Sequence, residues 1–326
     1  MPSGGNRGVS SALIDPNYHT PYALHASAGV QYAFSPNWTL SGDYIRETGM
    51  HAYRAYDYIA GYSLFSPLYP PDPVSQQANV ADIQLYKTDN RSAYNALAIH
   101  LQGNFSPWFN LTANYTLASA KTWGCTAGEL FDYVNGVCNP LNAFGSGDYG
   151  PSGEDVRNRF VLAGVFNLPW KFQLATLMQF ESARPFTLTT PVDVNGTGNN
   201  NQDRAVINGV PTSLDQFRGT PYMQVDLKVA RPFQLGEHWN VQPFIEFFNL
   251  FNRMNPGNNY ITSIAALPNP VNSLYNATQV CPPTGCVPIV STKQFLYPAG
   301  ALGDFFGPGT TVGIPFAAQI GVRVNF

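Results

Sequence analysis

Few residues of this 326-residue chain have types and spacing that could do chemistry. The run Asp193-x-Asn195-x-Thr197-Gly198 puts oxygen-bearing side chains at alternate positions before a glycine, as in the first half of a Ca²⁺ loop. The position where such a loop closes with a bidentate Glu holds Arg204, and Asp203 stands one residue early. A solvated Asn/Gly loop is the competing reading. Four cysteines, Cys125, Cys138, Cys281 and Cys286, lie in Gly-, Pro- and Asn-rich stretches and allow three pairings. The sequence-local pairs would staple long loops, which implies an oxidising compartment. A metal set would need a second Cys-x₂₋₄-Cys pair or clustered His beside Cys281 and Cys286, and the sequence has neither. His19, His25, His51, His100 and His238 show no paired spacing. Neither a nucleophile–base arrangement, a P-loop nor a dinucleotide fingerprint is found. The chain is not read as an enzyme, and Ca²⁺ is the one cofactor its residues raise.

The elements that must carry these residues follow from the composition. Only 11% of the chain is charged, against about 25% in ordinary soluble domains. Yet mean hydropathy is −0.14, and 14% of residues are aromatic. Apolar runs of the roughly 20 residues a membrane helix needs are missing. The aromatic content argues against disorder, and 29 Gly with 27 Pro argue against a coiled coil. A net charge of −3 offers nucleic acid no basic surface. The first residues, MPSGGNRGVSS, lack the basic start and apolar core of a signal peptide. Either the chain stays in the cytosol or a more N-terminal part precedes it.

Period-2 alternation is the strongest signal. Leu24, Ala26, Ala28, Val30, Tyr32 and Phe34 alternate with His25, Ser27, Gly29, Gln31 and Ala33. Leu97, Ile99, Leu101, Gly103 and Phe105 alternate with Ala98, His100, Gln102 and Asn104. At the C-terminus Phe316, Ala318, Ile320, Val322, Val324 and Phe326 oppose Ala317, Gln319, Gly321, Arg323 and Asn325. Leu97, Ile99, Leu101, Val322 and Val324 are expected to face outward, and Gln102, Asn104 and Arg323 inward. Glu181, Arg231, Glu246 and Gln319 join the inward set, solvated in a wet interior.

The pattern gives about nine strands of 11–15 residues, twice the usual length. Tight turns near 35–37, 106–108, 169–170 and 236–238 alternate with long polar stretches near 50–90, 120–155, 190–220 and 253–312. Phe34, Trp38, Phe105, Trp108, Phe109, Trp170, Phe172, Phe233, Trp239 and Phe326 cluster beside the tight turns, where an interfacial girdle would sit. The fold class is all-β: a partial transmembrane antiparallel β-barrel with short periplasmic turns and long extracellular loops. A soluble β-sandwich, whose strands also alternate, is the alternative.

Several segments carry a family likeness. They are Asp15-Pro16-Asn17-Tyr18-His19-Thr20-Pro21-Tyr22, Arg157-Asn-Arg-Phe160 followed by Leu168-Pro169-Trp170, and Ser182-Ala-Arg-Pro185-Phe186. Further along come Asp193-Val-Asn-Gly-Thr-Gly with Asp203-Arg204, Phe217-Arg-Gly-Thr-Pro-Tyr with Val225-Asp226-Leu227, and Glu246-Phe-Phe-Asn249-Leu-Phe-Asn252. In order and spacing, the chain resembles the C-terminal barrel of TonB-dependent outer-membrane receptors. The Oar-like group, which carries a carboxypeptidase-regulatory-like domain, is the nearest likeness. Gln319, Gly321, Val324 and terminal Phe326 resemble the signal read by the barrel assembly machinery.

The resemblance implies residence in the outer membrane of a Gram-negative bacterium, contact with its lipid, and TonB-coupled uptake of a ligand through N-terminal parts. The periplasmic domain, TonB-contacting segment and plug of such receptors are not found in these 326 residues. Residues 1–326 are therefore expected to be a fragment of a larger barrel of about 22 strands. A passive outer-membrane channel and a soluble secreted binding module are the other two functional readings.

Overall fold

The computed structural model describes residues 11–59, 82–105, 107–125, 135–187, 189, 193–198, 203–204, 206–207, 210–218, 221–255 and 314–326. Nine long strands dominate: β1 (Tyr22–Ser35), β2 (Trp38–Tyr58), β3 (Ile83–Phe105), β4 (Phe109–Trp123), β5 (Asn158–Asn167), β6 (Gln173–Glu181), β7 (Tyr222–Ala230), β8 (Trp239–Phe248) and β9 (Ala317–Asn325). They pair antiparallel in chain order, an up-and-down sheet with β1 and β9 at its edges. Among the described residues no pairing joins the two edges. Among the described residues the sheet is a single layer, without the facing second sheet of a sandwich core.

The register explains the alternation. One lateral row reads Val30, Gly42, Ile99, Tyr115, Phe160, Phe180 and Met223, crossing seven strands. The next row of the same face reads Tyr32, Leu40, Leu101, Ala113, Leu162, Met178 and Val225. The intervening row, on the other face, is Gln31, Ser41, His100, Asn114, Val161, Gln179 and Gln224. A one-residue slip would mix the two sets, so the contrast between faces fixes the register. Leu97, Ile99, Leu101, Val322 and Val324 share the apolar face, and Gln102, Asn104 and Arg323 the polar one, as expected.

Short connections link the hairpins at one end. The turn after β5 is a 3₁₀ turn over Pro169–Lys171, in which Trp170 and Lys171 take positive φ of 61° and 65°. Aromatic rings gather along this end. Trp38 lies 6.2, 6.0 and 6.1 Å from Phe34, Phe105 and Phe109, and Phe109 lies 6.1 Å from Phe166. Trp239 lies 5.6 Å from Phe326. Trp170 and Phe326 are 80% and 91% exposed, so these rings extend the apolar face and fill no core.

At the other end the structure corrects the sequence reading. The stretch from 50 to 90 is not all loop, because β2 and β3 run 21 and 23 residues and take in 50–58 and 83–90 at its two ends. Alternation is lost there because a bulge at His51, with φ 60°, shifts the register between Met50 and Ala52. Short segments then pair in parallel with the extension, Ser11–Ile14 with Ile83–Tyr86 and residues 135–136 with Arg54–Ala55. Most buried residues, Tyr56, Cys125, Val137, Phe186, Leu214 and Phe217 among them, belong to this end and to its loops.

Candidate functional site

Two surfaces can act: the polar face of the sheet and the loops gathered over its long-strand end. On the polar face charges are paired across strands. Arg159 meets Glu181 at 3.0 Å, Lys228 meets Glu246 at 3.8 Å, and His25 faces Glu47 at 3.7 Å. His100 Nδ1 lies 2.6 Å from Asn114 Oδ1. A cleft of about 190 Å³ opens between Lys228, Gln242, Phe244 and Arg323 near the short-turn end. Glu181, Glu246, Gln319 and Arg323 hold the inward positions expected of them. Arg231 does not: it lies just past β7, over the rings of Phe172 and Phe233 at 5.3 and 4.7 Å, and donates to the Trp170 carbonyl at 3.1 Å. Lys228 and Ala230 take the inward parity, and the Arg231 N–H still donates to the Pro243 carbonyl at 3.2 Å, so alternation itself turns Arg231 to the other face.

The loop end is tied together by buried ion pairs, and the family-like motifs supply most of their members. Arg204 donates to Asp148 Oδ1 and to the Gly147 carbonyl, both at 2.6 Å. Arg218 donates to the Asp155 carboxylate and, at 2.6 Å, to the Asp155 carbonyl. Asp155, only 1% exposed, also accepts the Ala120 N–H at 2.6 Å. Asn249, with φ 47°, donates to the Arg253 and Ile314 carbonyls at 2.9 and 3.0 Å, and its own N–H donates to Asp226 at 2.8 Å. Asn252 accepts the Phe316 N–H at 3.1 Å, so the Asn-Leu-Phe-Asn turn tethers the chain leading into β9. These residues are clamps, satisfying buried backbone groups that loops would otherwise leave unpaired.

Arg54 was not singled out by the sequence. It is fully buried, grips Asp89 through Nε at 2.9 Å and Nη2 at 3.2 Å, and donates to the Ala143 carbonyl at 2.7 Å. Its guanidinium stacks over Phe144 at 4.3 Å. The Tyr56 hydroxyl donates to the same carboxylate. Burial, together with Asp89, pushes the Tyr56 hydroxyl far above its ordinary value. A signal existed, an Arg and an Asp inside an alternating stretch, but the bulge disguised it. Asp148 and Asp155 were also missed, since their arginine partners stand 56 and 63 residues away.

Cys125 and Cys138 are bonded to one another and join the loop after β4 to the segment flanking β2. Cys281 and Cys286 lie outside the described residues. In the Asp193 loop, Asp193 Oδ2 accepts the Gly198 N–H at 2.9 Å, the sixth-position contact of a cation loop. Asn195 Oδ1 is taken by the Thr197 N–H and hydroxyl at 3.0 and 2.6 Å. Asp203 accepts the Val194 N–H, and Asn195 Nδ2 anchors the loop to the Cys138 carbonyl at 2.8 Å. Among the described residues no three Asp, Glu, His or Cys side chains converge as a metal set.

Burial raises the Asp203 carboxyl to about 6; the neighbouring Asp193 adds to the rise, and the Val194 and Asn195 amides with Arg204 oppose it. A folded value above the unfolded one means stability present at low pH and lost as pH rises through about 6. Proteolysis within 193–203 should therefore accelerate between pH 5 and pH 7.5, and Asp203→Asn should flatten that dependence. An Asp203→Asn profile as steep as the wild type would assign the effect elsewhere.

On β9, Gln319 pairs with Glu246, Gly321 with Phe244 and Val324 with Val241. The Phe244 ring covers Gly321, where a Cβ would sit 2.4 Å from it, so only glycine fits beneath the ring. The other edge of β9 carries no strand among the described residues.

The family described as "Outer membrane beta barrel domain" matches residues 2–216, more than half of the chain. No curated protein matches the sequence. Among solved structures, the outer membrane transporter YddB from Escherichia coli is similar, at 11% identity and a TM-score of 0.46, over 73% of this chain and 30% of that one. The ferric-catecholate import receptor Fiu from E. coli K12 is similar at 12% identity and a TM-score of 0.42, over 76% of this chain and 25% of that one. The FrpB iron transporter from Neisseria meningitidis is similar at 9% identity and a TM-score of 0.41, over 74% and 29%. The chain thus spans less than a third of the length of each.

Proposed function

The chain belongs to the outer membrane β-barrel domain family and resides in the outer membrane, and from that premise we propose that it forms the C-terminal wall of a TonB-coupled receptor that takes up a ligand. The observation that carries this reading is the single sheet with two unlike faces. Its apolar rows suit lipid, its polar rows suit a lumen, and ion pairs knit the loops at the long-strand end. An interior wall of Arg159–Glu181, Lys228–Glu246 and His25–Glu47 pairs offers polar partners to a plug or to a ligand in transit. The chemistry is binding and gating, with no reaction catalysed. The order of motifs along the chain, which resembles that of Oar-like receptors, supports the finer assignment.

The reading frame that contains Met1, extended 5′, provides the test. A plug and a TonB-contacting segment encoded in frame, with uptake lost when TonB is removed, is the expected result. A secretion signal directly before this segment, with sugar flux through vesicles that persists without TonB, would establish a passive channel instead.

Assembly is the second part of the proposal. Terminal Phe326, with Gln319, Gly321 and Val324, forms an amphipathic edge strand that the barrel assembly machinery can take up by strand addition. Phe326→Ser should lower the folded chain in the outer membrane several-fold while synthesis is unchanged, and Phe326→Tyr should restore it. Equal folded amounts for Phe326→Ser and wild type would remove the signal role. For Ca²⁺, the proposal is that ionised Asp203 and Asp193 share the cation. Added Ca²⁺ should then protect the 193–203 loop from protease at pH 7.5, and unchanged cleavage would leave it a purely hydrogen-bonded turn.

A further inference from the structure

The apolar face carries one anomaly. From the short turns up to the level of Met50, the outward positions of the nine strands contain no Asp or Glu. They contain three charged residues, all basic: Arg46, Arg91 and Lys121. All three are exposed, and they lie on the adjacent strands β2, β3 and β4. Arg46 stands opposite Asn95, Lys121 opposite Ala93, and Arg91 opposite Met50. Two strand cations on the inner face, Arg159 and Lys228, have an acid within 4 Å; among the described residues no acid lies that close to these three.

Their height is set by the register. Arg46 stands eight residues above Trp38, Lys121 ten above Leu111, and Arg91 twelve above Gly103. At about 3.4 Å per residue and a tilt near 40°, these are roughly 21, 26 and 31 Å above the aromatic belt. An outward apolar band is about 25 Å tall. The three cations therefore cluster at its far edge, on the side of the long loops. Neutral polar groups join them: the Tyr44 hydroxyl donates to Asn95 Oδ1 at 3.0 Å. The rings of Tyr22 and His51, 5.6 Å apart, flank the patch.

We propose that Arg46, Arg91 and Lys121 form a binding site for a phosphorylated lipid headgroup of the outer leaflet. Arginine forks pair phosphate oxygens bidentately, and a cation at headgroup depth is stabilised by an anionic lipid beside it. The occupant is a lipid because the patch adjoins the apolar face on one side and the loop rim on the other. Its acyl chains would then lie along Leu24, Tyr44 and Leu97, which are exposed on that face.

The test compares lipid phosphorus retained by the chain after purification from outer membranes in neutral detergent. Wild type should retain diphosphorylated glycolipid, and the triple variant R46Q/R91Q/K121Q should bind it on the order of a hundredfold more weakly. R46K/R91K, which keeps the charge but loses the forks, should retain more than the triple variant and less than wild type, and controls for misfolding. Millimolar inorganic phosphate should not displace the lipid, whereas added diphosphoryl lipid A should. Equal lipid phosphorus in the triple variant and wild type overturns the site. So does ready replacement by phosphatidylcholine, and so does displacement by inorganic phosphate, which would make it a free-anion site. An acidic protein retained in place of lipid would overturn it too.

Discussion

Ile99→Arg should cost about 2–4 kcal/mol, while Gln102→Arg, three residues along the same strand, should cost little. The difference follows from the row that holds each residue. Ile99 sits between Gly42 and Tyr115 in the apolar row that ends at Met223. It stands four residues above Gly103, roughly 10 Å above the aromatic belt at a tilt near 40°, close to the middle of a 25 Å band. An arginine there must leave water for hydrocarbon or drag water in with it. Gln102 sits between Thr39 and Thr112 in the inward row and is already exposed, so a charge replaces one polar group with another. Urea midpoints of both variants in lipid bilayers give the comparison, and folded yield in the outer membrane gives a second readout. Equal cost at the two positions would mean that the sheet does not separate lipid from water, and the membrane orientation would fail with it.

That orientation was legible before any coordinates, for a physical reason. Alternation has period 2, and pleating converts it directly into faces, so residues 24–34, 38–44, 97–105, 111–117 and 316–326 could be assigned to faces from their order alone. Legibility ended where the pleat was interrupted. The bulge at His51 adds a residue to one strand, and beyond it the parity that had identified a strand no longer applied. Arg54, Tyr56 and Asp89 therefore read as loop residues although they belong to the two longest strands.

The loops were opaque for another reason. Asn249 and Asn252 could be named from the Asn-Leu-Phe-Asn run, but their partners could not, because a clamp is defined by distant backbone groups such as the Ile314 carbonyl. Arg204 and Arg218 likewise needed Asp148 and Asp155, and nothing local marks those two aspartates among the others. Motif residues at this end turned out to hold the loops together. Residues that face a ligand would have to be sought on the inner rows, where Gln, Asn, Ser and Thr are too ordinary in sequence to stand out.

Asp89→Ala should be among the most damaging single changes outside the strand rows, at about 3–5 kcal/mol, because it leaves a buried guanidinium without its counter-ion. Arg54 has no exposed surface, and its remaining acceptors, the Ala143 carbonyl and the Tyr56 hydroxyl, are neutral. Burial alone would raise the Asp89 carboxyl. Hydrogen bonds from Arg54 and Tyr56, with the charges of Arg54 and Lys87, outweigh burial and hold it below 3.8. A depressed folded value means that this stability is present above the unfolded value and is lost as pH falls through the folded one, so acid below pH 3.8 should mimic the mutation. The region affected is the β2–β3 extension with the loop at Ala143 and Phe144, which should open as a unit. Amide hydrogen exchange over 52–58 and 83–90 should speed up, while the rows around Ile99 stay protected. A double change, Arg54→Met with Asp89→Leu, should recover most of the loss, since it removes both charges and keeps the volume. If the two single changes were additive in that pair, the ion pair would not be the element that fastens the extension to the loop, and Phe144 packing would have to carry it instead.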